Sequence, residues 1–275
     1  MTLTLNTEDR AEMAIRSSTL TTPDGVQIGF ESWGEGPPLV LIHGAFSNQR
    51  SNWCHIHRRL GEHFACHAIS RRGRGHSAAS RDHSLEEESR DAVTLIKSLN
   101  EPVRLLGHSY GALVALGAAS IVPARVEKLV LYEAPRPEIV SEAARAFLRR
   151  LAELEDWEAL AFHFFTDVLG VSHADMEGLT GTPDWQDTLT DTPASMTDLD
   201  VLSRYQFSPQ SSGHLSMPVL LQIGSESQRD LYTTDVLRSV IPDSHIAVIE
   251  GEGHDAMTTA PDKYVRATLP FLLEG

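Results

Sequence analysis

Cysteine is scarce in this 275-residue chain: only Cys54 and Cys66 occur. Two thiols in a chain of this length build no disulfide scaffold, and they read as packed, reduced side chains. No run approaches the roughly 20 apolar residues of a membrane span. Residues 1–16 carry Glu8, Asp9 and Glu12 and lack the apolar stretch of a secretory signal. The expectation is a cytoplasmic protein with a short N-terminal arm over 1–16. Positive charge is also in deficit, 23 Lys and Arg against 38 Asp and Glu, a net charge of −15. That balance disfavours nucleic acid and anionic membrane surfaces as partners. Histidines are many, yet no His-Glu-x-x-His or Cys-x-x-Cys frame occurs. His55 and His57, two apart, would leave a helix from different sides, so neither metal nor cofactor is expected.

What is present is an alternation. Ser17–Thr22 and Val26–Trp33 flank Pro23-Asp24-Gly25, a hairpin turn in composition. Pro38–His43, Phe64–Ser70, Val103–Leu106, Val126–Tyr132, Pro218–Ile223 and His245–Glu250 are short apolar runs typical of strands buried on both faces. Between them, Asn52–Leu60, Leu85–Leu99, Ala112–Val122, Leu231–Val240 and Pro261–Leu273 read as helices. The pattern predicts an α/β fold with a mostly parallel, doubly wound sheet. From about 136 to 213 the alternation stops. Ser141–Leu169 is amphipathic and helical, and 170–212 is rich in Thr, Asp, Ser and Pro. The chain therefore divides into the arm, a core over 17–135 and 214–275, and a helical cap over 136–213. Within the cap, Trp157, Phe162, Phe164, Phe165 and Leu169 read as cap core rather than pocket wall.

The chemistry centres on Val103-Arg-Leu-Leu-Gly-His-Ser-Tyr-Gly111, a strand running into Gly-x-Ser-x-Gly with helical sequence behind it. A serine between glycines at a strand-to-helix turn can be held strained, with its hydroxyl exposed. Ser109 is thus the candidate nucleophile. Together with Leu-Ile-His-Gly-Ala-Phe (41–46), Arg-Arg-Gly-Arg-Gly-His-Ser (71–77) and Gly-Glu-Gly-His (251–254), this motif makes the chain resemble the α/β-hydrolase superfamily over nearly its whole length.

The resemblance implies a base late in the chain, and His254 occupies that place. It implies an oxyanion hole from two backbone N–H groups, those of Tyr110 and Ala45, with Phe46 as the fallback for Ala45. The side chains of Phe46 and Tyr110 are candidates for contact with substrate. His43 reads as a structural loop residue and His108 as a bystander. The acid departs from the commoner pattern, because the position three residues after Gly224 holds Ser227. Glu133 closes an apolar strand, where a carboxylate needs a reason to be. Its place matches the layout of haloalkane dehalogenases and zearalenone lactone hydrolases. Glu226 and Asp230 remain alternatives. Ser70 replaces the aspartate common in the family, which implies altered loop packing; Arg71, Arg72 and Arg74 read as solvated or paired to surface acids.

The function implied is a serine esterase or lactonase acting on a small, partly apolar ester or lactone. Perhydrolase (haloperoxidase-like) or lyase chemistry on the same triad, and a silent ligand-binding member, are the alternatives. Lysines are few and none adjoins the four motifs, which counts against the lyases. A homodimer is among the assemblies the sequence permits.

Overall fold

A computed structural model describes residues 13–79 and 83–274. The arm expected over 1–16 thus lies largely outside the described residues. The chain builds an eight-stranded sheet of order β1-β2-β4-β3-β5-β6-β7-β8. Strands β1 (Arg16–Thr21) and β2 (Gln27–Trp33) form an antiparallel hairpin, and β2 pairs antiparallel with β4 (Ala65–Ile69). Strands β3 (Pro38–Ile42), β4, β5 (Val103–His108), β6 (Val126–Tyr132), β7 (Val219–Gly224) and β8 (Ser244–Ile249) run parallel. The chain steps one way from β3 to β4, then crosses back over β3 to β5 and continues in that direction to β8. The carboxyl ends of β3 and β5 therefore flank a topological switch point, where open α/β sheets place their ligands.

Two-residue periodicity splits the core into two layers. Val40, Ile42, Leu105, Leu129 and Leu131 face one layer; Leu39, Leu41, Leu106, Val130 and Tyr132 face the other. Helix α1 (His57–Gly61) packs on the second layer, while α2 (Leu85–Ser98) and α3 (Tyr110–Ile121) cover the first. Helix α3 is buried nearly all round, as its run of Ala, Leu, Val and Gly demands. The helix expected over 52–60 is broken. A 3₁₀ turn at Ser51–Trp53 precedes α1, and Ile56 between them leaves helical backbone (φ −122°, ψ −8°) with its side chain in the core.

Between β6 and β7 the described chain is helical. It forms α4 (Glu142–Glu153), α5 (Trp157–His163) with a π-turn over Phe164–Val168, α6 (His173–Leu179) and the 20-residue α7 (Pro183–Leu202). Leu148, Leu160, Trp185 and Leu199 join these helices to the first core layer. Helix α7 is built from poor helix formers. Packing against α4 and α5 holds it, Thr182 caps its start, and the hydroxyls of Thr188, Thr192 and Ser195 are satisfied by the carbonyls four residues back (2.8–3.0 Å). The chain closes with α8 (Thr234–Val240), α9 (Ala256–Thr259) and α10 (Pro261–Leu273). No helix among the described residues is long and apolar enough to cross a membrane.

Candidate active site

Residues following three strands line one cavity of about 580 Å³, and one following a fourth lies buried behind it. Ser109 follows β5, Ala45 and Phe46 follow β3, Glu133 follows β6, and His254 lies in the loop after β8. Ser109 adopts φ 54°, ψ −125°, a region that costs a non-glycine residue energy unless its surroundings enforce it. The enforcement is visible: Ser109 N–H donates to Tyr132 O (2.8 Å), and Ala112 N–H donates to Ser109 O (2.8 Å). The flanking glycines admit the tight turn. A Cβ on Gly107 would lie 2.4 Å from Gly111 O, and one on Gly111 would lie 2.3 Å from the carbonyls of Ile42 and His43. Phe46 (φ 55°) and Glu133 (φ 49°) are held in the left-handed region as well. Three of the four non-glycine residues with positive φ among the described residues thus sit at the ends of β3, β5 and β6.

Glu133 is fully buried, yet both carboxylate oxygens are used. Oε1 accepts from Gly224 N–H (2.7 Å), and Oε2 accepts from His254 Nδ1 (2.5 Å). Burial lowers the affinity of His254 for a proton, but the hydrogen bond and charge of Glu133 outweigh it, so its pKa stands above the ordinary value. The bond through Nδ1 leaves Nε2 for the cavity, which both Ser109 and His254 line. Of the alternatives, Glu226 lines the cavity on an exposed loop, where it accepts from Ser225 Oγ (3.1 Å), and Asp230 is exposed; neither is hydrogen-bonded to His254 among the described residues. The Gly224 N–H, where the commoner family layout begins its acid loop, serves Glu133 instead.

Two residues beside His254 escaped sequence reading. Tyr232 stacks on its ring (centroids 5.5 Å apart, 19° between planes), and its hydroxyl lies 3.2 Å from Nδ1. His108 is no bystander. Its Nε2 lies 3.0 Å from His254 O, its Nδ1 lies 3.1 Å from Asn52 Oδ1, and its ring stacks on Tyr132. Burial and the neighbouring His254 hold its pKa far below the ordinary value, so it is a neutral strut. The Tyr132 hydroxyl donates to Gly253 O and so ties the same loop from below. The sequence offered no sign of Tyr232; for His108, its place inside the elbow motif was the one available signal.

Among the described residues, the N–H groups of Ala45 and Tyr110 have no hydrogen-bond partner. Phe46 N–H is already taken by Ser195 Oγ (2.7 Å). Ala45 and Phe46 line the cavity, and Phe46 stacks on Phe164 (4.3 Å). The side chain of Tyr110 does not reach the cavity, contrary to expectation. Its ring lies 4.3 Å below the Arg71 guanidinium, drawn there by the cation over its face. Phe164, Phe165 and Leu169 are both packed into the inserted helices and part of the cavity wall, which corrects their reading as cap core alone; Trp157 and Phe162 stay out of the wall.

The arginines differ from expectation in being buried, all three of them, although Arg72 does reach a surface acid, Asp24 (3.0 Å). Arg71 pairs with Glu88 (3.3 Å) and Asp198 (2.5 Å), Arg74 with Asp198, and Arg72 with Asp91 (2.6 Å). The reason is that α2 and α7 bring buried carboxylates to the 71–74 loop, a long way off in sequence. His83 joins the group, 3.5 Å from both Glu88 and Asp198, and those acids push its pKa up to about 9 against the effect of burial. His43 behaves as the loop residue expected: Nδ1 donates to Gly44 O (2.8 Å), and Nε2 accepts from Arg71 N–H (3.1 Å). Two groups come within ligand distance of a common point: Cys54, His55 and Asp184, and His83, Glu88 and Asp198. In the second the acids are already engaged by arginine. The two cysteines are unpaired.

Residues 39–267 match the model of the alpha/beta hydrolase family, and the chain belongs to that family. It is similar to a pimeloyl-(acyl-carrier protein) methyl ester esterase of Nitrosospira multiformis, 31% identical over 48% of this chain and 47% of that protein. A protein of the same description from Vibrio vulnificus is 27% identical over 88% of this chain and 96% of its own length. The match spans about half the length or less of several other curated relatives. Among solved structures, an alpha/beta hydrolase from Sphaerobacter thermophilus is 26% identical with a TM-score of 0.79, covering 92% of this chain and 99% of the other. The enol-lactonase of Burkholderia xenovorans shares the fold at 18% identity and a TM-score of 0.78, over 94% and 100%.

Proposed function

We propose that this hydrolase-family chain cleaves a carboxylic ester or lactone of a small, partly apolar molecule through an acyl-enzyme on Ser109. The observation that carries the reading is the buried Glu133–His254 hydrogen bond of 2.5 Å, whose histidine lines one cavity with Ser109. A serine hydroxyl needs a base to become a nucleophile at neutral pH. His254 takes the Ser109 proton through Nε2 as Oγ adds to the carbonyl, and Glu133 stabilises the imidazolium and fixes its tautomer. The N–H groups of Ala45 and Tyr110 hold the oxyanion; Phe46 N–H is engaged elsewhere, so Ala45 is the better donor. The tetrahedral adduct collapses as His254 hands its proton to the departing alkoxide. Water, deprotonated by His254, then attacks the acyl-enzyme and frees the acid, and Ser109 recovers its proton.

Residues 136–213 act as a cap over this site in our reading. Phe164, Phe165 and Leu169 from that segment give the cavity an apolar wall, which supports a substrate with an apolar part. The esterase names of the relatives, and the lactonase among the structural neighbours, support an acyl-transfer reaction.

The test is a panel of esters and lactones graded by acyl and alcohol size, with Ser109→Ala as the blank. Hydrolysis by the native chain should fall by about 10⁴-fold or more in the variant, together with loss of covalent labelling by an organophosphonate. Undiminished labelling or turnover in Ser109→Ala overturns the assignment.

A further inference from the structure

The loop that carries Ala45 is not held by the sheet alone. The carbonyl of the Gly44–Ala45 peptide accepts from His43 Nδ1 (2.8 Å) and from Arg71 Nη2 (3.2 Å). A trans peptide is planar, so fixing its carbonyl fixes the direction of its N–H, which is that of Ala45. The next peptide is fixed from the other side: Phe46 N–H donates to Ser195 Oγ, on helix α7. Ser195 is fully buried and fully used, since its hydroxyl also donates to Asp191 O (2.8 Å) and accepts from Arg74 Nη2 (3.2 Å). One helical turn on, Asp198 accepts from both Arg71 and Arg74. Asn48, just past the loop, adds a second direct tie by donating to Asp191 Oδ2 (2.7 Å). Phe46 meanwhile sits at φ 55°, a conformation that persists only where contacts enforce it.

We propose that Ser195 and Asp198 are positioning residues for catalysis: through Phe46 N–H and the Arg71 guanidinium they set the direction of the Ala45 N–H, so that the inserted helix α7 holds half of the oxyanion hole. This rests on the reading of Ala45 as an oxyanion donor given above. Helix α7 also lends Asp184 and Thr188 to the cavity wall. The element that contacts the substrate and the element that aims the donor are therefore one helix. A poor fit that displaces α7 loosens the donor, so selectivity falls on the chemical step as well as on binding.

The test compares Ser195→Ala, Ser195→Thr and Asn48→Ala with the native chain on one good ester, each rate divided by the sites titrated with an organophosphonate. In Ser195→Ala, kcat per site should fall about tenfold with KM within about twofold, the scale of one lost hydrogen bond acting on the transition state. The inhibition constant of a trifluoromethyl ketone, whose Ser109 adduct carries the same oxyanion, should rise in parallel. Ser195→Thr keeps the hydroxyl and should recover most of the loss. Asn48→Ala, which leaves the Ser195 hydroxyl in place, should show a smaller shift in the same direction and serves if Ser195→Ala does not fold. A merely structural role would lower the number of titrated sites and leave kcat per site and ketone affinity unchanged; that result overturns the proposal. Turnover persisting in Ser109→Ala would instead overturn the underlying reading of the site, and the two failures are separate.

Discussion

Two buried ionic sites lie close together in this molecule and are built on opposite terms. Glu133 and His254 form a lone pair whose partners are backbone groups and aromatic rings. Arg71, Arg74, Glu88, Asp198 and His83 form a cluster in which each charge faces at least one opposite charge. The first can change its protonation by one proton without breaking anything, because a neutral His254 still donates through Nδ1. The second cannot lose Asp198 without stranding Arg74 in low dielectric. Burial thus serves proton movement in one place and rigidity in the other, and the number of permanent charges decides which.

The largest effect that would break this contrast is on rate. Glu133→Gln keeps the shape but no longer fixes the tautomer or stabilises the imidazolium, so kcat should drop by about 10⁴-fold, read by steady-state kinetics. Any residual activity should show its acid limb at lower pH, because the carboxylate is what raises His254 above its ordinary pKa and His254 must be neutral to act as base. Next comes stability. Asp198→Ala leaves Arg71 and Arg74 short of a counter-charge and should cost about 3–5 kcal/mol in urea unfolding, whereas Glu133→Gln should cost clearly less. A milder effect concerns pH. The folded pKa of His83 is raised to about 9, so its contribution to stability is complete below pH 6.5 and is lost as pH rises through 9. The melting temperature should fall over that window, and His83→Ala should flatten the fall. Smallest is Glu226→Gln, expected to leave kcat within about twofold, since its carboxylate bonds only a neighbouring serine.

The sheet was readable in advance because its parallel strands are covered on both faces and so appear as unbroken apolar runs, Pro38–Ile42 and Val126–Tyr132 being the plainest. Ser109, His254 and Glu133 were nameable from motifs and from one carboxylate out of place at a strand end; Ser109 and His254 line one cavity, with Glu133 hydrogen-bonded to His254 behind it. The arginines were misread because their partners are distant: Asp198 stands 127 residues from Arg71. No local pattern distinguishes an arginine destined for such a partner from one left in water. Tyr110 was misjudged for the same reason, since the cation that claims its ring is the same Arg71. Helix α7 was illegible as a single long helix, because threonine, serine and aspartate count against helix and only its packing on α4 and α5 overrides them.

That makes α7 a dependent element. Its sequence, with Pro193 in its interior, would hold little helix alone in water, and its order comes from docking on α4, α5, the Ser51–Trp53 turn and the 71–74 loop. The strands it bridges, β6 and β7, pair with each other directly, so the sheet can close before the insertion settles. In folding, α7 is therefore expected to arrive late. In the native state its amides should exchange with solvent sooner than those of β5 and β6, through partial openings that leave the sheet intact. Under the proposed role of α7, the finest adjustment of the reaction centre would lie in the region expected to form last and open first.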